Sequence, residues 1–184
     1  MKKNEIKYVD NVLLNNDLFK LYKNLISCNS WNLARTSSGG ELGTFPGFVV
    51  RDNYTNVFNN YWDGYFNCLY ERIKIKFYEK YNYELTGDIF RIHLGAKNNM
   101  SKTTFHKDDK NSEATTIVGF LTPAWSEDWG GALQVEESKI NFKPGLFSIF
   151  DSNQIHDGEG PNKQIPYWRI SINYVIKDYG QENI

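Results

Sequence analysis

Two of the three histidines in the chain lie in patterns that suit a transition metal. In the segment TFHKDD, His106 and Asp108 are two residues apart, so on extended backbone both side chains project to the same side. His156 follows later, in the segment KPGLFSIFDSNQIHDGEGP, after an apolar strand and a polar loop. Two imidazoles and one carboxylate form a facial triad that leaves three metal positions open, as in non-haem Fe(II) oxygenases. The sequence therefore makes His106, Asp108 and His156 candidate ligands of one metal ion.

Each part of this pattern also has an interpretation without a metal. A His-x-Asp pair is common on protein surfaces, and a histidine beside Asp157 and Glu159 is also what an ordinary surface loop contains. Neither half of the pattern is specific by itself. The metal hypothesis depends on whether His156 meets His106 and Asp108 in the folded chain.

A third pattern, YWRISINYV, places polar side chains along one face of a strand. Arg169, Ser171 and Asn173 alternate with apolar residues, so all three point to the same side. An arginine on the buried side of a sheet requires an anionic partner. That partner is either a carboxylate of the protein, such as Glu136 or Glu137, or a bound dicarboxylate held by two parallel hydrogen bonds.

The N-terminal part of the chain favours helices. We expect a short strand over residues 6–12, a helix over 15–28, a long polar loop over 31–50, and a second helix from about 55 to 77. The second helix has apolar residues at intervals of three and four, so one of its faces can lie against a sheet.

After Gly87 the pattern changes to short strands divided by turn residues. Seven strand-like runs follow one another, namely DIFRIHLG, KTTFH, ATTIVGFLTP, GALQV, KINF, GLFSIF and YWRISINYVI. We therefore predict an α+β fold with a double-stranded β-helix (jelly-roll) core and N-terminal helices packed on one sheet. One domain spans residues 1–184, with a helical part at about 13–80 and the core at about 87–178.

Composition excludes several classes of protein. Hydrophobic residues make up 40% of the chain, so it can form a globular core. The formal net charge of −1 gives no field that would attract nucleic acid or an anionic membrane. No apolar run reaches the length of a signal peptide or a membrane span. We expect a cytoplasmic protein without a membrane or nucleic-acid partner.

Together these residues resemble the 2-oxoglutarate/Fe(II)-dependent oxygenase superfamily, and in particular its prolyl 4-hydroxylase-like branch. The motif H-K-D at residues 106–108, then His156, then R-I-S at residues 169–171 occur in the order and approximate spacing of that family. The segments GFLTPAWSEDWGGALQV and KPGLFSIFDSNQIH are similar to the same branch. The resemblance covers about residues 88–176.

The resemblance implies a hydroxylase that couples oxidative decarboxylation of 2-oxoglutarate to hydroxylation of a substrate. Its catalytic centre would be Fe(II) held by His106, Asp108 and His156. Dioxygen would be the oxidant, and ascorbate is compatible with this chemistry. Arg169 and Ser171 would bind the far carboxylate of the cosubstrate 2-oxoglutarate.

Three residues differ from the family pattern. His93, before Gly95, occupies the place of a tyrosine that commonly contacts 2-oxoglutarate, and it is either a cosubstrate contact or a core histidine. Phe120 stands where another such tyrosine can occur. Arg169 replaces the lysine of collagen-type enzymes. The family's substrates therefore cannot be transferred to this chain.

Two other classes of function remain open. A cupin-like metalloenzyme that does not use 2-oxoglutarate would keep the triad but would have no need for Arg169 and Ser171 on an inward face. A non-catalytic jelly-roll module that binds carbohydrate would have no reason to bring the triad together. The sequence does not show whether the primary substrate is a peptide or a small molecule. It also does not show the role of the 35–47 loop or the oligomeric state.

Overall fold

A computed structural model describes residues 5–35, 42–102, 104–110 and 113–178 of the chain. Within these residues the fold is mostly β-sheet with two helices, as the sequence predicts. The helices are α1 (Asn15–Ser27) and α2 (Asn60–Tyr81), and the strands are β1 (Lys7–Val9), β2 (Asn32–Arg35), β3 (Leu42–Asp52), β4 (Val57–Phe58), β5 (Asp88–Lys97), β6 (Ala114–Phe120), β7 (Leu133–Val135), β8 (Ser138–Ile140), β9 (Phe147–Asp151), β10 (His156–Gly158) and β11 (Arg169–Lys177).

The strands form two antiparallel sheets. The larger sheet has the order β1-β9-β6-β11-β5-β3-β2, with β4 paired to β3, and the smaller sheet has the order β10-β7-β8. Strand β11 lies in the interior of the larger sheet because it pairs with β5 on one side and with β6 on the other. The strand that carries the polar pattern of the C-terminal segment is therefore held along both edges.

The two faces of β11 have different neighbours. Ile170, Ile172 and Tyr174 are buried in the main core, and the Tyr174 hydroxyl donates a hydrogen bond to the Phe66 carbonyl of α2 at 3.1 Å. The intervening residues point to the opposite face, toward the smaller sheet. Alternation along one strand thus separates a helix-packed apolar face from a polar inner face.

Both helices pack on the outer face of the larger sheet through an apolar stripe. The buried stripe of α2 consists of Trp62, Phe66, Leu69, Tyr70, Ile73 and Phe77. The Asn59 side chain caps the start of this helix by accepting from the Trp62 N–H, and Asn82, with φ of 56°, ends it in the left-handed conformation. Neither helix in the described ranges is long and apolar enough to cross a membrane.

A second apolar cluster joins the two sheets. It consists of Val118, Phe120, Leu133, Val135, Ile140, Phe142 and Phe150, which come from both sheets and from the turn between β8 and β9. Beside this cluster the inner face of the larger sheet borders a cavity of about 880 Å³. The cavity is lined by the polar residues of β5 and β11.

Three local predictions from the sequence are wrong. The second helix begins at Asn60 and not near residue 55, because residues 57–58 form strand β4, which pairs with β3. Residues 31–50 are not a single loop, because strands β2 and β3 occupy much of this segment, while residues 36–41 lie outside the described part. Glycine and proline suggested a loop, but Phe48 and Val50 point to the core and Val49 away from it, which is the period of a strand. The run KTTFH forms no strand among its described residues, only an isolated bridge at His106.

The packing around Gly119 generates a prediction about stability. A Cβ at Gly119 of β6 would overlap the buried ring of Phe147, whereas a Cβ at Gly64, inside α2, meets nothing within 4 Å. We expect Gly119→Ala to lower the free energy of unfolding by about 1–3 kcal/mol through overpacking. Gly64→Ala should raise it by about 0.5–1 kcal/mol, because alanine favours the helix. Urea unfolding of both variants measures the difference, and a neutral Gly119→Ala would contradict this packing.

Candidate active site

The three predicted metal ligands lie together at one end of the cavity. One ligand atom each from His106, Asp108 and His156 can be chosen so that all three lie within 4.8 Å of one another. The main chains of the two histidines form a small antiparallel bridge, with N–H to carbonyl distances of 3.0 and 2.9 Å. This bridge holds the two imidazole rings side by side, with their centroids 4.4 Å apart.

Main-chain carbonyls orient both imidazoles. The Nδ1 atom of His106 lies 2.9 Å from the Thr104 carbonyl oxygen, and that of His156 lies 3.0 Å from the Gln154 carbonyl oxygen. A carbonyl only accepts, so Nδ1 carries the proton in each ring and Nε2 presents its lone pair to the centre. His156 Nε2 is buried, 3.2 Å from Asp108 Oδ2, and makes no well-oriented hydrogen bond with a described residue. Metal-binding histidines usually have this second-sphere arrangement.

Asp108 is a buried carboxylate with several donors around it. Its side chain is only 3% exposed, and its Oδ2 accepts from Thr116 Oγ1 at 2.8 Å and from Asn173 Nδ2 at 2.7 Å. Arg91 Nη2 forms an ion pair with the other oxygen, Oδ1. Burial opposes ionisation, but His156, Arg91 and Asn173 outweigh it and hold the pKa of Asp108 well below its usual range. The carboxylate is therefore ionised at neutral pH.

The two imidazoles have opposite pKa shifts. Burial and the neighbouring His156 lower the pKa of His106, which favours the neutral form that binds metals. For His156, burial acts in the same direction, but the Asp108 carboxylate outweighs it and raises the pKa. The raised pKa means that the Asp108 carboxylate favours a positive charge on His156. A cation bound among the three residues would supply that positive charge in place of a proton on His156.

Arg169 lies elsewhere on the cavity wall and is 1% exposed. Its Nε donates to the Gly131 carbonyl at 2.8 Å and its Nη1 to Ser171 Oγ at 3.1 Å, while the buried Nη2 has no partner among the described residues. No described carboxylate lies within 4.0 Å of the guanidinium, so neither Glu136 nor Glu137 pairs with it. Burial lowers the pKa of Arg169 to about 10, which still leaves it charged at neutral pH.

His93 lies on the cavity wall between these two groups. In the register of β5 and β11, His93 is opposite Asn173, and Lys97 is opposite Arg169. His93 Nε2 is 3.2 Å from an oxygen of Asp52. Burial and then Arg91 lower its pKa to about 4, so the ring is neutral at pH 7. A contact between His93 and a cosubstrate stays a prediction.

Three residues of the site were not predicted from the sequence. They are Arg91 and Thr116, which contact Asp108, and Lys97, which lines the cavity near Arg169. The alternation in DIFRIHLGAK does place Arg91, His93 and Lys97 on one face of β5. The alternation of residues could therefore have identified Arg91 and Lys97 as inward-facing. The residues that they contact depend on which strands pair with β5.

Comparisons with known proteins find similarity in structure alone. No family model matches the sequence, and no curated protein matches it. Among solved structures, a prolyl hydroxylase from Trichoplax adhaerens, in complex with a peptide fragment of the hypoxia-inducible factor oxygen degradation domain, is 16% identical with a TM-score of 0.62. The match covers 95% of this chain and 84% of that chain.

Two further solved structures have the same fold. A prolyl 4-hydroxylase from Pseudomonas putida is 14% identical with a TM-score of 0.62, and the match covers 95% of this chain and 93% of that one. An oxidoreductase of the 2OG-Fe(II) oxygenase family from Burkholderia pseudomallei is 13% identical with a TM-score of 0.65, over 94% of this chain and 84% of that one. The chain therefore has the fold of prolyl hydroxylases and 2-oxoglutarate/Fe(II) oxygenases.

Proposed function

We propose that this protein is an Fe(II)- and 2-oxoglutarate-dependent oxygenase, a hydroxylase of the prolyl 4-hydroxylase-like branch. The observation that carries the proposal is the convergence of His106, Asp108 and His156, with ligand atoms within 4.8 Å of one another. The same cavity contains a buried guanidinium, that of Arg169, with no anionic partner among the described residues. A triad alone fits many metals, but a triad with an unpaired cation fits a metal and an anionic cosubstrate.

The donor set fits Fe(II). Two neutral imidazoles and one carboxylate are the ligands of non-haem Fe(II) oxygenases, and they leave adjacent positions for small molecules. His106 and His156 would each bind through Nε2, because Nδ1 is held by a main-chain carbonyl. Asp108 would bind as an ionised carboxylate. Bound iron and 2-oxoglutarate would supply the oxidative decarboxylation that drives hydroxylation, with dioxygen as oxidant and ascorbate as an accessory reductant.

Arg169 and Ser171 fit the far carboxylate of 2-oxoglutarate. The free Nη2 hydrogens of Arg169 can donate to a carboxylate oxygen, and Ser171 Oγ, which accepts from Nη1, retains its own hydrogen for donation. Asn173, which is bonded to Asp108, is four residues from Arg169 along β11, or about 13 Å. That span leaves room for a five-carbon dicarboxylate between the triad and the guanidinium.

Aromatic rings lie against the guanidinium that would bind this carboxylate. The guanidinium carbon of Arg169 lies 5.3 Å from the ring centroid of Phe120 and 5.5 Å from that of Phe142. Phe120 has no hydroxyl with which to bind a cosubstrate, and its ring instead contacts the cation. A low local dielectric strengthens the attraction between Arg169 and a bound carboxylate.

We extend the proposal to the type of β-fold and to the extent of the domain. The two antiparallel sheets that face each other across the cavity support a double-stranded β-helix, or jelly roll, within one domain of residues 1–184. The helices on the outer face of the larger sheet are consistent with this arrangement. The substrate is a peptide or a small molecule; the Trichoplax enzyme was solved with a peptide.

The metal assignment predicts a difference between two adjacent aspartates. Asp108 faces His106 and His156, whereas Asp109 lies 3.1 Å from the Tyr54 hydroxyl and 2.6 Å from Lys177 Nζ. In anaerobic titrations with Fe(II) and then 2-oxoglutarate, we expect wild type and Asp109→Ala to develop the visible charge-transfer band of the chelate. Asp108→Ala should not develop it, because one metal ligand is lost.

The outcomes of this titration separate the candidate functions. A band in Asp108→Ala as strong as in wild type would refute the ligand assignment. Iron binding by wild type without a band would favour a cupin-like metalloenzyme that does not use 2-oxoglutarate. No iron binding would favour a carbohydrate-binding module.

A second prediction concerns Arg169. We expect Arg169→Met to weaken 2-oxoglutarate binding by at least about tenfold, because charge-assisted hydrogen bonds in a buried site are lost. Binding of Mn(II), which takes the same ligands as Fe(II), should not change. Isothermal titration with each ligand measures both effects. Unchanged affinity for 2-oxoglutarate would mean that another group binds its far carboxylate.

A third prediction concerns the ion pair of Arg91 with Asp108. Arg91 occupies a carboxylate oxygen and places a positive charge beside the metal site, while Thr116 and Asn173 hold the other oxygen. Arg91→Met should therefore raise the affinity for Mn(II) by about tenfold, since a competing cation is removed. Arg51→Met is the matched control, because Arg51 forms a similarly buried pair with Asp63. A lower affinity in Arg91→Met alone would indicate that Arg91 positions the ligand.

A further inference from the structure

A second buried cation shares the cavity wall with Arg169. Lys97 is the last residue of β5 and lies directly opposite Arg169 in the strand register, so both side chains project from the same face. Lys97 is 8% exposed, its Nζ donates to the Gly158 carbonyl, and it lies 4.7 Å from the ring centroid of Phe45. No described carboxylate lies within ion-pair distance of Nζ.

The two cations converge on one point above Gly158. A Cβ built on Gly158 would lie 3.3 Å from Arg169 Nη2 and 3.5 Å from Lys97 Nζ. Both nitrogens therefore border the small space that any other residue at this position would fill with its side chain. Glycine keeps that space available between an ammonium and a guanidinium.

Two neighbouring buried cations are unfavourable unless an anion lies between them. Burial, followed by the charge of Arg169, lowers the pKa of Lys97 to about 7, and Asp157 opposes this shift only in part. Burial also lowers the pKa of Arg169, with Asp157 and Glu159 opposing. Neither carboxylate comes within ion-pair distance of the two cations, so no described anion lies between Lys97 and Arg169.

We propose that Lys97 and Arg169 form a two-cation clamp on the far carboxylate of the cosubstrate, with Gly158 providing the space for it. The inference rests on the proposed function and adds Lys97 to the cosubstrate-binding residues. Because both cations border one small space, one carboxylate can contact both. A separate anion from the substrate would meet repulsion from that carboxylate. The clamp therefore selects a dicarboxylic 2-oxoacid over a monocarboxylic one.

The test compares two ligands that differ only in the far carboxylate. Mn(II)-loaded protein is titrated calorimetrically at pH 7 with 2-oxoglutarate and with 2-oxopentanoate, which has the same carbon chain without that carboxylate. We expect Lys97→Met, which keeps the length of the side chain, to weaken 2-oxoglutarate binding by about tenfold and to leave 2-oxopentanoate binding unchanged. Lys20→Met, at an exposed lysine of α1 away from the cavity, is the control and should bind both ligands as wild type does.

Other outcomes would overturn either the two-cation clamp alone or the proposed function on which it rests. Equal 2-oxoglutarate affinity in Lys97→Met and wild type would overturn the clamp alone, as would an equal loss for both ligands. If wild type binds Mn(II) but neither oxoacid, the proposed function fails as well. Gly158→Ala provides a second variant should Lys97→Met not fold. Its methyl group enters the space between the cations, so we expect the same selective loss for 2-oxoglutarate; no loss would contradict the clamp.

Proton uptake gives a readout that does not depend on affinity. A carboxylate placed between Lys97 and Arg169 stabilises the charged lysine and raises its pKa. At pH 8 the free protein holds Lys97 mostly neutral, so binding of 2-oxoglutarate should draw in a proton, whereas at pH 6 the lysine is already charged. Titrations in two buffers of different ionisation enthalpy measure this uptake. We expect it in wild type and not in Lys97→Met; equal uptake in both would contradict the clamp.

Discussion

A charged carboxylate buried beside two imidazoles sets the requirements for the surrounding strands. Asp108 cannot remain ionised out of water unless donors surround it, and those donors come from three adjacent strands, with Arg91 on β5, Thr116 on β6 and Asn173 on β11. The order β6-β11-β5 in the larger sheet brings these three side chains to one place. The order of the strands is therefore what allows Asp108 to stay charged in a buried position.

The outer face of the same strands provides the rigidity that the inner face needs. Tyr174 and the isoleucines of β11 pack under α2, and the Tyr174 hydroxyl is bonded to the helix backbone. Since neighbouring residues on a strand point to opposite faces, this packing also determines where Arg169, Ser171 and Asn173 point. Substitutions in the apolar core can therefore disturb the cavity without contacting it.

The sequence predicted the residue types of the site better than their contacts. His106, Asp108, His156 and Arg169 could be proposed from the sequence because their residue types and spacing suit a metal and an anion, although each part of the pattern also has an ordinary structural role. The structure brings the three candidate ligands together. The contacts of Arg91 and Lys97 could not be proposed, since they depend on which strands pair and in which register, and the spacing of residues along the chain does not specify either. The 31–50 segment was wrongly interpreted because its glycine and proline residues obscured the alternation of β3. KTTFH was wrongly interpreted as a strand because its composition favours extended backbone, but among its described residues only His106 pairs, in the isolated bridge to His156.

The ion pair between Arg91 and Asp108 has a consequence for the charge balance of the site without a metal. Because the arginine acts as an internal counter-ion, the buried carboxylate is electrically balanced before any metal arrives. The site therefore does not depend on a metal to neutralise its buried carboxylate. A metal bound at the proposed site would add its charge to a carboxylate that already has a counter-ion within the protein.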